Sequence, residues 1–174
     1  IVASCSTAHN VELEPVFSQM GLNSVYFDVD TFEDYLRMLD ICTQITGRRE
    51  NYVQYGEAIS RQVEAARKRA DGSRPSVLYI RATGTSCKVK NSNGSVLGEM
   101  LRAMDCENIA DSEESLLESL SMEAILMADP DFIFVVEQSA DADAAKAMLD
   151  KSLFSNPAWQ TLTAVREGRY YVMD

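Results

Sequence analysis

Between Ser121 and Gln138 the chain reads SMEAILMADPDFIFVVEQ, and no other stretch limits the possible folds so sharply. Ser121 can cap a helix in which Met122, Ile125 and Leu126 recur at helical spacing. Asp129-Pro130-Asp131 ends that helix, because proline cannot continue it and aspartate favours turns. Phe132 to Val136 then follows as an unbroken apolar run, the pattern of a strand buried on both faces. A helix feeding directly into such a strand is the unit from which parallel sheets are built.

The alternation holds from Pro75 onward. Val77 to Arg81 reads as a buried strand, Val96 to Met104 as a helix and Asn108 to Ala110 as a short extended piece. Ser115 to Leu120 and Ala142 to Leu153 are helical, Pro157 to Val165 supplies one or two helical turns, and Tyr170 to Met173 is a final strand. The expected class is α/β, with a Rossmann-like, open, mostly parallel sheet. Trp159, beside Pro157 and Leu162, reads as a core anchor. Tyr170 and Tyr171 point to opposite faces of the last strand.

The part before Pro75 differs. Ile1 to Ser4 reads as a strand end, Cys5 to Asn10 as a loop, Val11 to Met20 as a helix stopped by Gly21, and Ser24 to Phe27 as a short strand. Thr31 caps a helix with Glu33 and Asp34 in its first turn, and Gly47 stops it. Glu50 to Ala70 is a longer, more polar helix with a thin stripe of Val53, Ile59, Val63, Ala66 and Ala70. Its Glu57/Arg61 and Glu64/Lys68 pairs are worth about 0.3 kcal/mol each. A long helix with so narrow a buried face spans between packed units. Asp71-Gly72-Ser73-Arg74-Pro75 breaks it.

Composition removes several functions. The net charge of -11, from 16 basic and 27 acidic residues, repels a phosphate backbone and argues against nucleic-acid binding. The longest apolar run is Phe132 to Val136, far short of the roughly 20 residues of a membrane span. Cys5, Cys42, Cys87 and Cys106 lack metal-ligand spacing and are expected as free thiols. His9 is the only histidine and reads as structural or solvent-facing. Asp129 and Asp131 are turn residues rather than a catalytic dyad. No nucleophile with a base, no glycine phosphate loop and no G-x-S-x-G context around Ser73 is present, so no catalytic residue, metal site or cofactor is implied.

The candidate binding residues follow from where open α/β sheets take ligands, beyond the carboxyl ends of their strands. The polar stretch RATGTSCKVKNSNG, Arg81 to Gly94, reads as a long loop placing Arg81, Thr83, Thr85, Ser86 and Lys88 there. Glu137 and Gln138, just past the Phe132 to Val136 strand, hold the equivalent position. Each of them also suits an ordinary surface loop. Glu123 stands at the second position of its helix, off the apolar stripe, where a carboxylate also stabilises the helix N-terminus by about 0.3 to 1 kcal/mol.

Three patterns in order, S-x-E-x-I-L-x-x-D-P-D at Ser121 to Asp131, N-P-A-W at Asn156 to Trp159 and A-V-R-E-G-R-Y-Y at Ala164 to Tyr171, resemble the ABC-transporter solute-binding proteins for ferric siderophores, haem and cobalamin. The resemblance covers nearly the whole chain and implies two α/β lobes joined by a long helix. Residues 1–46 would be the tail of the N-terminal lobe, 47–74 the linking helix and 75–174 the C-terminal lobe without its final helix. The chain is accordingly expected to be a piece of a longer protein, with half of the ligand cleft and any signal segment outside it. The resemblance implies a monomeric, extracytoplasmic binding subunit, periplasmic or anchored as a lipoprotein. It would have no enzymatic activity, and would deliver an iron complex or corrinoid to a membrane permease. Arg81 and Lys88 would meet carboxylates, catecholates or haem propionates, and Glu123 would dock into permease arginines. Two rival readings stay open: an enzyme on a Rossmann-like scaffold with its site outside this chain, and a sensory receptor lobe on the same fold.

Overall fold

The computed structural model describes every residue except Ser6, Ala140 and Asp174. It divides the chain into two compact units: residues 1–69 with 94–99, and residues 70–93 with 100–174.

In the first unit, β1 (Val2–Ser4) and β2 (Val25–Phe27) pair in parallel, Val2 opposite Val25. Two short helices connect them, α1 (Ala8–Glu12) and α2 (Glu14–Gln19), where the sequence predicts a loop and then one helix. Pro15 in the first turn of α2 lacks the N–H that a continuous helix needs there. Helix α3 (Phe32–Thr46) begins in a capping box: Thr31 accepts from the Asp34 N–H while the Asp34 carboxylate accepts from the Thr31 N–H. These bonds, led by the one from the Thr31 hydroxyl, hold the Asp34 carboxyl below its ordinary range. Gly47, at φ 69°, closes the helix in the left-handed region that glycine enters without strain.

The predicted long helix is helical from Arg49 to Arg67, as α4 (Arg49–Tyr52), a π-helical turn (Val53–Glu57) and α5 (Ala58–Arg67). The wide turn is where Gly56 is buried: a Cβ there would lie 3.2 Å from the Tyr52 ring. Val53, assigned above to the buried stripe, is half exposed on this turn. The Arg61–Glu57 and Lys68–Glu64 pairs form at 3.8 and 3.5 Å.

The second unit carries the expected α/β sheet. Strand β3 (Ser76–Ala82) lies beside β4 (Cys87–Lys90); helix α6 (Val96–Ala103) and strand β5 (Glu107–Asn108) follow in the chain. Helices α7 (Ser115–Glu118) and α8 (Met122–Ala128) then lead into β6 (Phe132–Glu137). Helix α9 (Ala142–Leu149), extended by a π-helical turn (Asp150–Phe154), a 3₁₀ turn (Pro157–Thr161) and helix α10 (Thr163–Arg166), brings the chain to β7 (Tyr170–Met173). The strand order is β4-β3-β6-β7, with β5 also on β3. All pairs are parallel except β3/β4.

One sheet face forms the core: Leu78, Ile80, Ile133 and Val135 pack with Ile125, Leu149, Leu153, Leu162 and the buried Trp159. Trp159 meets Phe154 at 5.3 Å and Tyr170 edge-on at 6.0 Å, while Tyr171 stacks on Phe134 at 5.6 Å. The two tyrosines therefore do serve opposite faces. The Asp129-Pro130-Asp131 turn is a double staple. Asp129, at φ 38°, ends α8 and accepts from the Thr163 N–H and hydroxyl at 2.9 and 2.6 Å. Asp131 accepts from the Ser76 N–H and hydroxyl at 2.9 and 2.8 Å, tying the starts of β3 and β6 together.

Candidate functional site

The Arg81–Gly94 segment is not a loop as the sequence suggested. Arg81 and Ala82 complete β3, residues 83–86 turn, and Cys87–Lys90 return as antiparallel β4. The alternation Cys-Lys-Val-Lys was the available signal: Val89 is buried while Lys88 is exposed, the period of a half-buried strand. Glu137 likewise belongs to β6, as its last residue, instead of lying past it.

Pairing decides which candidates meet. Arg81 lies directly opposite Lys88, and Tyr79 opposite Lys90, so Arg81, Lys88 and Lys90 share one face of the hairpin. Lys90 is a member that sequence reasoning missed. Among the described residues no carboxylate forms an ion pair with any of the three. Burial, and then the charges of Arg81 and Lys88, push the Lys90 ammonium below its ordinary pKa. Three mutually repelling cations are thus gathered on one face in a chain of net charge -11.

Thr83, Thr85 and Ser86 come together differently. The Thr83 hydroxyl accepts from the N–H groups of Thr85 and Ser86 at 3.3 and 3.0 Å, and the Thr83 N–H donates to the Ser86 carbonyl at 2.7 Å. These residues thus build the turn, on which Thr85 is exposed and Thr83 and Ser86 are half-buried. Gly84 lets it approach closely: a Cβ there would lie 3.2 Å from the Ala144 methyl and 3.4 Å from the Ser139 hydroxyl. That close approach sets the turn against the segment leaving β6, where the Gln138 N–H donates to the Ala82 carbonyl at 2.8 Å. Glu137, opposite Ala82 in the register, falls on the other sheet face from the cations. The structure does not bring it to them. The Cys87 thiol shares that other face, and burial raises its pKa to about 11, so it is no thiolate at neutral pH.

Glu123 stands apart on α8. Ser121 caps that helix, its hydroxyl accepting from the Ala124 N–H at 3.3 Å, and the Glu123 side chain is exposed. His9 is exposed too, 3.7 Å from Glu12, and all four cysteines are half-buried free thiols. Among the described residues no group of three or more His, Cys, Asp or Glu side chains could hold a metal ion. None of the described helices is long and apolar enough to cross a membrane.

Polar and cationic groups thus lie near the carboxyl end of β3 in an open, mostly parallel α/β sheet, the position at which such sheets take ligands. The chain belongs to the periplasmic binding protein family, whose model matches residues 6–174. No curated protein sequence matches it. Among solved structures, the iron-uptake system-binding protein FeuA from Bacillus subtilis is similar with TM-score 0.75 and 18% identity, over 99% of this chain and 61% of that one. IsdE from S. aureus complexed with heme gives TM-score 0.68 and 18% identity over 94% of this chain and 63% of that one. The periplasmic heme-binding protein RhuT from Roseiflexus sp. RS-1 gives TM-score 0.70 and 18% identity over 94% and 62%. The chain thus spans 61% to 63% of the length of these three proteins, and at this identity the likeness establishes the fold alone.

Proposed function

We propose that this chain is part of the substrate-binding subunit of an ABC importer, and that its cargo is an anionic iron complex, a ferric siderophore or haem. The observation that carries the cargo class is the unpaired cationic face of Arg81, Lys88 and Lys90 beside the carboxyl end of β3. Carboxylates, catecholates and haem propionates are the anions such a face suits, through charge-assisted hydrogen bonds. The iron and heme named for FeuA, IsdE and RhuT support the same class. Cobalamin, which offers no comparable cluster of negative charge, fits this face less well. Residues 75–174 would act as the C-terminal lobe, with 47–74 as the helix leading into it and 1–46 as the tail of the N-terminal lobe. Glu123, exposed on α8, would pair with an arginine of the membrane permease. The subunit would work outside the cytoplasm, free in a periplasm or held as a lipoprotein.

The test is a titration of the full-length protein with a ferric catecholate complex, a ferric carboxylate complex, haem and cobalamin, read by Trp159 and tyrosine fluorescence. One anionic iron complex should quench saturably at one-to-one stoichiometry. Arg81→Ala and Lys88→Ala should each weaken it by about tenfold or more, the loss of one charge-assisted bond. Quenching by cobalamin alone, or an affinity indifferent to both substitutions, would refute the cargo class.

A further inference from the structure

The cationic face of the β3–β4 hairpin is gathered against its own electrostatics. Arg81 and Lys88 repel the Lys90 ammonium, and partial burial deprives it of some of its hydration. Lys90 is also the last residue of β4, a short edge strand whose one ladder, among the described residues, is with β3. The end of a strand held on one side opens most easily, so repulsion alone would turn Lys90 out into water. A restraint is needed at this point, and the structure has one.

Two strands share one edge of β3: β5 pairs with Ser76 and Val77, and β4 with Tyr79 to Ala82. Asn108, the last residue of β5, stands where the two meet and is only 1% exposed. Its Nδ2 donates to the Lys90 carbonyl at 3.0 Å. Its Oδ1 accepts from the Ala110 N–H at 3.1 Å, capping the 3₁₀ turn Ile109–Asp111. The same turn reaches the exit of β4 a second time, where the Asp111 carboxylate accepts from the Ser92 N–H at 2.7 Å. A buried amide bonded through both its nitrogen and its oxygen has one orientation, so Asn108 fixes the backbone from which the Lys90 side chain leaves. A neutral amide buried this deeply does not itself meet a ligand. Its effect on the face runs through Lys90.

We propose that Asn108 is a positioning residue for the cationic face, its hold on the Lys90 carbonyl keeping the Lys90 ammonium beside Arg81 and Lys88 for a ligand with several negative charges. This rests on the reading of that face as the cargo site. The experiment titrates the full-length protein with a ferric tris-catecholate, for Asn108→Ser, Lys90→Gln and the double variant, and follows the Lys90 titration by NMR of its ε-carbon. Serine keeps an acceptor for the Ala110 N–H, so the turn stays capped and the unit folded, but it is too short to hold the Lys90 carbonyl. Asn108→Ser and Lys90→Gln should each weaken binding by about tenfold. The double variant should lose no more than Lys90→Gln alone, because Asn108 acts only through Lys90. In Asn108→Ser the Lys90 titration, which lies low in the unaltered protein, should rise toward the ordinary lysine value as the ammonium turns to water. A bond that merely supports the fold would weaken binding equally with and without Lys90 and leave that titration in place; either result overturns the positioning role. Binding indifferent to Lys90→Gln but weakened by Arg81→Ala also overturns it, and leaves the cargo reading intact. No saturable binding by the unaltered protein overturns the cargo reading and this use of the face with it, whereas an unmoved Lys90 titration overturns the positioning alone.

Discussion

The two units of this chain bury their apolar residues very differently. Of the 20 buried hydrophobic residues described, only Phe32 lies in the first unit, whereas 9 of the 13 exposed large hydrophobics do, from Ile1 to Tyr55. The first unit's two-stranded parallel sheet is also of a kind ordinarily covered on both faces. Its order rests on local devices such as the Thr31 capping box and the Gly47 helix end, while the second unit rests on one contiguous core around Trp159. Local bonds hold a helix in shape but bury little surface, so stability should be concentrated in the second unit.

The largest effect that could break this contrast is Trp159→Ala. It should destabilise the second unit by about 3 to 5 kcal/mol in urea unfolding, because a fully buried indole leaves a cavity among Phe154, Tyr170 and Leu162. Ile45→Ala, at a side chain 64% exposed in the first unit, should stay within about 0.5 kcal/mol. Comparable losses from the two would show that the first unit has a core of its own. Thr31→Ala should cost about 1 kcal/mol and speed amide exchange in the first turn of α3, with no change in the strands of the second unit.

A pH effect tests the staple that ties the second unit's strands together. The Ser76 N–H and hydroxyl hold the Asp131 carboxyl below the ordinary aspartate range. A folded-state pKa below the unfolded one gives stability that is present above the unfolded value of about 3.9 and is lost as pH falls toward the folded value. Asp131→Asn should therefore be least stable relative to the unaltered protein at neutral pH, and the difference should shrink below about pH 4. A difference constant down to the lowest pH would remove the staple from this role. The smallest change should come from Glu57→Gln, which breaks an exposed pair worth about 0.3 kcal/mol and should be undetectable in 1 M salt.

What could be read directly from the residues was what depends on near neighbours. Thr31, Ser121, Gly21 and Gly47 cap or end helices through bonds and backbone angles within a few positions, and each stands where the sequence put it. The buried runs at Val77 and Phe132 announced the sheet, and the three C-terminal patterns announced the family. The β3–β4 hairpin was harder to see: its return strand is short, polar and at a sheet edge, where hydrophobicity gives little signal. The π-helical turn at Val53–Glu57 was not read from the sequence; a Cβ on its buried Gly56 would lie 3.2 Å from Tyr52 and 3.4 Å from Leu39, a closeness that only the packed structure shows.

By itself, then, the sequence determined the α/β class, the helix ends at Thr31, Gly47 and Ser121, and the family, because caps, turns and buried runs act over a few residues. Tertiary structure alone decided that Arg81, Lys88 and the unnoticed Lys90 share a face, that Glu137 does not join them, and that Met127 is left uncovered by the core. Strand register sets on which face each side chain emerges, and burial depends on what packs above it; neither is carried by any residue alone.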